Sequence, residues 1–195
     1  MSTLFVNNLN TASGSTITVP TGKQLIVTDA GAVRVPGTVL QVVNAEKLDT
    51  AATNSPMPSW VDTGLTCTIT PKANNSKILV QADLAMGISS NVFNYMRVVR
   101  NVGGGTFSMI SEAATPGSRS AAHGTVYDSD NEGPVEVQSF THLDSPATTS
   151  AVIYKVQFAT SGGAYIYVGQ SNRDNNSAAY DPRISSRIVL QEIAQ

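Results

Sequence analysis

Between Lys77 and Ile88, the residues Ile78, Val80, Ala82, Leu84, Met86 and Ile88 share one parity, while Gln81 and Asp83 hold the other. Apolar residues two apart line one side of an extended strand, whereas a helix needs spacings of three and four. The same period returns at Val152, Tyr154, Val156 and Phe158, set against Lys155 and Gln157. Helical periodicity is almost absent elsewhere. A chain written in period two must pair its strands and bury one face of each sheet, so the expected fold class is all-β.

Strands are expected at Trp60–Asp62, Leu65–Thr70, Lys77–Ile88, Val92–Arg100, Thr106–Ser111, Val135–Leu143, Thr149–Thr160, Ala164–Gly169 and Ser185–Ala194. Gly, Pro, Asn and Asp separate them, which fits an antiparallel β-sandwich of the jelly-roll kind over residues 60–195. Two polar connections are long, 112–134 and 170–182. Loops of that length in a compact domain carry function or order on binding.

Residues 1–44 read differently. Short apolar beads, Leu4–Val6, Ile17–Val19, Leu25–Val27, Val33–Val35 and Val39–Val43, alternate with Pro20, Gly22, Gly31, Pro36 and Gly37. No bead can bury a core alone, so the segment is expected to wrap with copies of itself or to dock on a partner. The polar, Pro-containing stretch 45–59 is expected to be a linker.

Composition narrows function. Charged residues make up 13% of the chain, against about a quarter in ordinary soluble domains, and Ser, Thr, Asn and Gly fill the gap. A surface of hydroxyls and amides suits strands, and it suits an exterior that an oligomer covers. The net charge is −2 and no Lys/Arg run occurs, which argues against a nucleic-acid partner. Cys67 is the sole cysteine, so neither a disulfide framework within the chain nor a paired-cysteine zinc motif is expected. It alternates with Leu65 and Ile69, as a core residue would. The opening MSTLFVNNLNTASGS has neither a basic nor an apolar signal region, and no stretch approaches a membrane span, so neither export by a signal peptide nor membrane insertion is expected.

The opening MSTLFVNNLN, the following ITVPTGKQLIVTDAGAVRVPGTVLQVVN, the stretches SKILVQADLA and VQSFTHLDSPATTSAVIYKVQFAT, and the ending SSRIVLQEIAQ resemble short fibre and virion structural proteins of cyanophages and other marine tailed phages. The resemblance spans nearly the whole chain except the two long loops. It implies a homotrimer, with intertwined N-terminal segments forming a stalk and three jelly rolls forming a knob. It also implies a virion location after synthesis in the bacterial cytoplasm, with other virion proteins of capsid, collar or tail as partners. With nothing long ahead of the module, the expectation is a short stalk plus a head. Leu4, Val6, Ile17, Val19, Leu25, Val27, Val33 and Val35 are the expected oligomer and virion-attachment residues.

Chemistry is sparse. Asp128, Asp130, Glu132 and Gly133 resemble the front of a calcium loop, but Ser139 stands where the closing carboxylate belongs, so no metal is expected. His123 and His142 show no metal-ligand spacing, and no GxSxG elbow supports a nucleophile. Asp128, Asp130, Glu132, Asp174 and Asp181 are carboxylates of the type glycoside hydrolysis uses, without a framework long enough for a depolymerase cleft. The expectation is a protein that is not an enzyme and needs no cofactor. Binding asks less: Arg119, Tyr127, Asn172, Arg173, Asn175, Asn176 and Tyr180 in the polar loops could hold a host surface glycan through amide bonds and aromatic stacking.

Overall fold

The computed structural model describes residues 18–27, 34–88, 91–128, 135–176 and 179–195. Residues Met1–Val33 and Arg34–Gln195 are separate units. In the first, Lys23 N–H donates to the Pro20 carbonyl at 3.0 Å and closes a turn. Val19, Leu25, Ile26 and Val27 stand exposed there, Leu25 at 72% and Ile26 at 77%. Leu4, Val6, Ile17 and Val33 lie outside the described residues.

The second unit holds eleven strands and, among the described residues, no helix: β1 (Val39–Lys47), β2 (Ala51–Thr53), β3 (Val61–Ile69), β4 (Lys77–Ile88), β5 (Val92–Val102), β6 (Ser108–Met109), β7 (Gly124–Asp128), β8 (Val135–Asp144), β9 (Val152–Thr160), β10 (Ile166–Val168) and β11 (Ser186–Ile193). They form two antiparallel sheets. In sheet A, β4 pairs with β8 on one side, and with β11 and then β10 on the other; β1 and β2 lie outside β11 and β10. In sheet B, β9 sits between β3 and β5, and β6 and β7 share the far edge of β5.

Where two short strands share one lane, each sheet has four lanes. In chain order they run 1-8-3-6 and 2-7-4-5, the interleaving of two Greek keys that makes a jelly roll. The chain enters at Arg34, on the end that also holds 70–76, 145–151 and the C-terminus. The connections 54–60 and 161–165 occupy the opposite end.

The period-two residues meet between the sheets. Ile78, Val80, Leu84 and Met86 of β4 pack with Val152, Tyr154, Val156 and Phe158 of β9, all at most 1% exposed. Each such side chain stabilises the fold by about 1.5–3 kcal/mol. A polar set is buried with them. Asp144, at the end of β8, takes both Arg100 Nη1 bonds at 2.5 and 2.7 Å and the Tyr154 hydroxyl at 2.7 Å. At the same end, Glu192 is fully buried and accepts from the Gln41 amide and the Lys72 N–H. Burial opposes its charge, but the bonds from Gln41 and from the Lys72 and Ala73 backbone hold its carboxyl below the ordinary value.

Three features depart from the sequence reading. The segment 45–59 is not a linker: Ala45–Lys47 continues β1 and Ala51–Thr53 is β2, so the expected boundary at Asn44 falls inside a strand. Its polar residues mark an edge lane whose outer face is wet. The stretches expected as Trp60–Asp62 and Leu65–Thr70 form one strand, β3, with a bulge between Asp62 and Thr66. Gly64 takes φ +89° there, and the Thr63 hydroxyl bonds the Val156 carbonyl at 2.8 Å. Finally, β7 lies inside the expected loop 112–134, where its single buried apolar residue, Val126, gave no alternation to read.

Candidate binding surface

Two long excursions interrupt otherwise regular lanes. Residues 110–123 leave and rejoin the edge of β5, where Ile110 N–H donates to the Val98 carbonyl and His123 N–H to the Met96 carbonyl. Residues 169–185 part β10 from β11, with Gly169 N–H donating to the Ala85 carbonyl at 2.9 Å. Gly87 permits this exit, because a Cβ there would overlap the Gln170 carbonyl oxygen.

The expected binding residues divide between these excursions and do not converge. Arg119 belongs to the first, and its Nη1 donates to the Pro116 carbonyl at 2.8 Å. Tyr127 is on β7. Asn172, Arg173, Asn175, Asn176 and Tyr180 belong to the second excursion, which leaves a different sheet near the opposite lateral edge. That loop is knit by its own charges. Arg173 Nε lies 3.0 Å from Asp181 Oδ1, and Arg183 Nη1 lies 2.6 Å from Asp174 Oδ1. The Arg173 guanidinium also sits 5.5 Å from the centre of the Tyr180 ring, which is 71% exposed.

His123 Nδ1 accepts the Val98 N–H at 2.9 Å and its Nε2 donates to the Ile110 carbonyl at 2.7 Å. Its ring stacks on Phe140 at 3.9 Å. Both bonds together require the neutral imidazole with its proton on Nε2. Burial holds its pKa below the ordinary value. Cys67 is buried, and desolvation pushes its thiol up. Asp130, Glu132 and Gly133 of the acidic turn lie outside the described residues.

The outer face of sheet B gathers residues that the sequence reading left aside. On β5, Val92, Asn94, Met96 and Val98 face the core, so Phe93, Tyr95 and Arg97 face outward. Phe93 packs on Tyr127 at 4.7 Å and near Tyr95 at 6.3 Å. Phe93 remains 43% exposed and Tyr127 48%. One step along, Arg97 Nε donates to Gln157 Oε1 at 2.8 Å, and Gln157 Nε2 donates to Asp62 at 2.7 Å. Lys155 closes the row on Asp62 at 2.7 Å. The Arg97 guanidinium lies 4.5 Å over the Trp60 ring, and Lys155 lies 4.5 Å over Phe107. Burial opposes the Asp62 charge, yet the bonds from Lys155 and Gln157 keep its carboxyl below the usual range. The signal was present in the sequence: aromatic and charged residues occupy the wet parity of a strand whose other parity is core.

No protein family matches the chain, and no curated protein matches it. Among solved structures it is similar to infectious bursal disease virus chains of the Gt strain (TM-score 0.40, 13% identity, 80% of this chain and 38% of that one) and the Gx strain (0.40, 11%, 79% and 42%). It is also similar to VP2 of that virus in a subviral particle (0.40, 10%, 79% and 41%). The chain thus spans about two fifths of the chains it matches.

Proposed function

We propose that the protein is a non-enzymatic structural component of a phage virion: a short trimeric tail or head fibre, attached through its N-terminal unit, Met1–Val33, and presenting its jelly roll to the host surface. One observation carries this reading. Leu25 and Ile26 are about three-quarters exposed, with Val19, Val27 and Val35 exposed beside them in sequence. Adjacent bare apolar residues mark a surface that another chain covers. The resemblance of the same segment to virion N-termini supports the assignment of that partner.

A second reading, a capsid decoration or collar protein, has its own support. The outer face of sheet A presents Val42, Val137 and Leu143 to solvent, on the same side as Gln81, Gln191 and Thr141 and as Glu46, Asp83 and Arg187. A face with these exposed apolar residues, whose Arg187 is paired with Asp83 at 3.0 Å, suits seating against a shell. Single-particle imaging of intact virions tests both. Density projecting from tail or collar with the jelly roll outermost supports the fibre. Density lying on the capsid lattice supports decoration and overturns the fibre.

A further inference from the structure

Two hollows flank the 110–122 excursion where it crosses the outer face of sheet B. One, of about 340 Å³, lies against Tyr95 and Thr125; the other, of about 220 Å³, lies against Trp60 and Arg97. Thr115, Arg119, Ser120 and Ala121 line both, so the hollows adjoin as two halves of a trough, with Arg119 between them. Small-molecule sites range from about 300 to 1,000 Å³, so the trough is of a size to take two or three linked rings rather than a large ligand.

Its lining restricts the occupant. Tyr95 offers a ring at one end, and Phe93 and Tyr127 continue that aromatic surface. Aromatic rings receive the apolar C–H face of a pyranose, while hydroxyls such as those of Thr115, Ser120 and Thr125 exchange hydrogen bonds with its rim. The other end is cationic. Arg97 and Arg119 against Glu112 leave one net positive charge in the trough, on a chain whose total is −2. The neighbouring Asp62 is matched by Lys155. Arg97 is held by Gln157 and Trp60 before a ligand arrives, and the exposed Arg119 donates to the Pro116 carbonyl of its own loop. A fixed planar guanidinium is shaped for a carboxylate, which it can engage with two parallel bonds. Two cations are too few for a nucleic-acid track.

We propose that this trough binds an acidic saccharide, a glycan bearing a uronate-type carboxylate, with a sugar ring on Tyr95 and the carboxylate at Arg119 and Arg97. The inference rests on the reading of the jelly roll as the host-facing knob, and it names the class of surface glycan that such a knob would grip.

Trp60 is the only tryptophan and lines the trough, so its fluorescence reports occupancy directly. The full chain is titrated with trigalacturonate, with a sialylated trisaccharide and with neutral maltotriose. The expected result is a saturable change with at least one acidic probe and none with maltotriose. Arg119 is exposed, so Arg119→Ala should keep the melting temperature and weaken binding by about tenfold or more. Arg119→Lys keeps the charge but not the fork, and should recover only part of the affinity. No saturable change with either acidic probe overturns the proposal. So does equal binding of maltotriose, or binding indifferent to Arg119→Ala. The outcomes separate from those of particle imaging. A trough that fails on a chain shown outermost on a fibre removes the site and leaves the fibre; a trough that binds on a chain lying on the capsid shell does the reverse.

Discussion

His123 ties a loop to a strand through both ring nitrogens, and only its neutral form can do so. Its pKa is held down by burial, with His142 and Arg97 adding repulsion. The folded state therefore binds a proton less readily than the unfolded chain. Stability from this contact is complete above the unfolded value near 6.5 and falls as pH drops below it. We expect the Ile110 and His123 amides to exchange hydrogen faster at pH 5 than at pH 7.5, relative to amides of β4. A His123→Gln variant should lose that dependence, and equal protection at both pH values would show that the imidazole does not pin the loop. The Arg100–Asp144–Tyr154 set separates two costs of a buried polar group. Tyr154→Phe leaves Asp144 paired with Arg100 and should cost about 1 kcal/mol in urea unfolding. Asp144→Ala strands both partners and should cost about 3–5 kcal/mol. Similar losses from the two would mean that the ion pair contributes little.

At the scale of elements, the sandwich tolerates long insertions because each begins and ends on neighbouring backbone groups. The 110–123 excursion is anchored at Val98 and Met96, two residues apart on one strand, or about 7 Å. The 169–185 excursion instead needs close backbone approach at Gly87. Gly87→Ala should destabilise the fold by about 1–3 kcal/mol through forced displacement of the Gln170 carbonyl, read as a lowered melting temperature. An unchanged value would show that the excursion can shift freely. Sequence periodicity located β4, β5, β8, β9 and β11 because each has one dry and one wet parity. It missed β2 and β7, short edge strands set by pairing with β10 and β5 rather than by their own side chains.

Over the whole molecule, the bare apolar residues of 18–27 and the self-contained core of 34–195 imply a division of labour. The jelly roll needs no partner to bury Phe158 or Leu84, whereas Leu25 and Ile26 are about three-quarters exposed in a single chain. A Leu25→Asp, Ile26→Asp double variant should therefore unfold at the temperature of the unaltered chain's jelly roll. In light scattering it should run as a smaller species, and it should fail to join particles. If it assembled and attached normally, the segment would not be the attachment element.

The all-β class, the strands with one buried face and the apolar beads of the N-terminal segment were determined by the sequence alone, because each follows from the spacing of residues along one strand. What tertiary structure decided was which outward faces meet. Arg119 was singled out by its loop, but Trp60, Tyr95, Arg97 and Glu112 join it only because β3, β9 and β5 lie side by side and an excursion folds back across them. Asn172 and Tyr180, alike in composition, fall on an excursion from the other sheet. Strand order is fixed by pairing between segments far apart in the chain, and a period of two carries no information about that pairing.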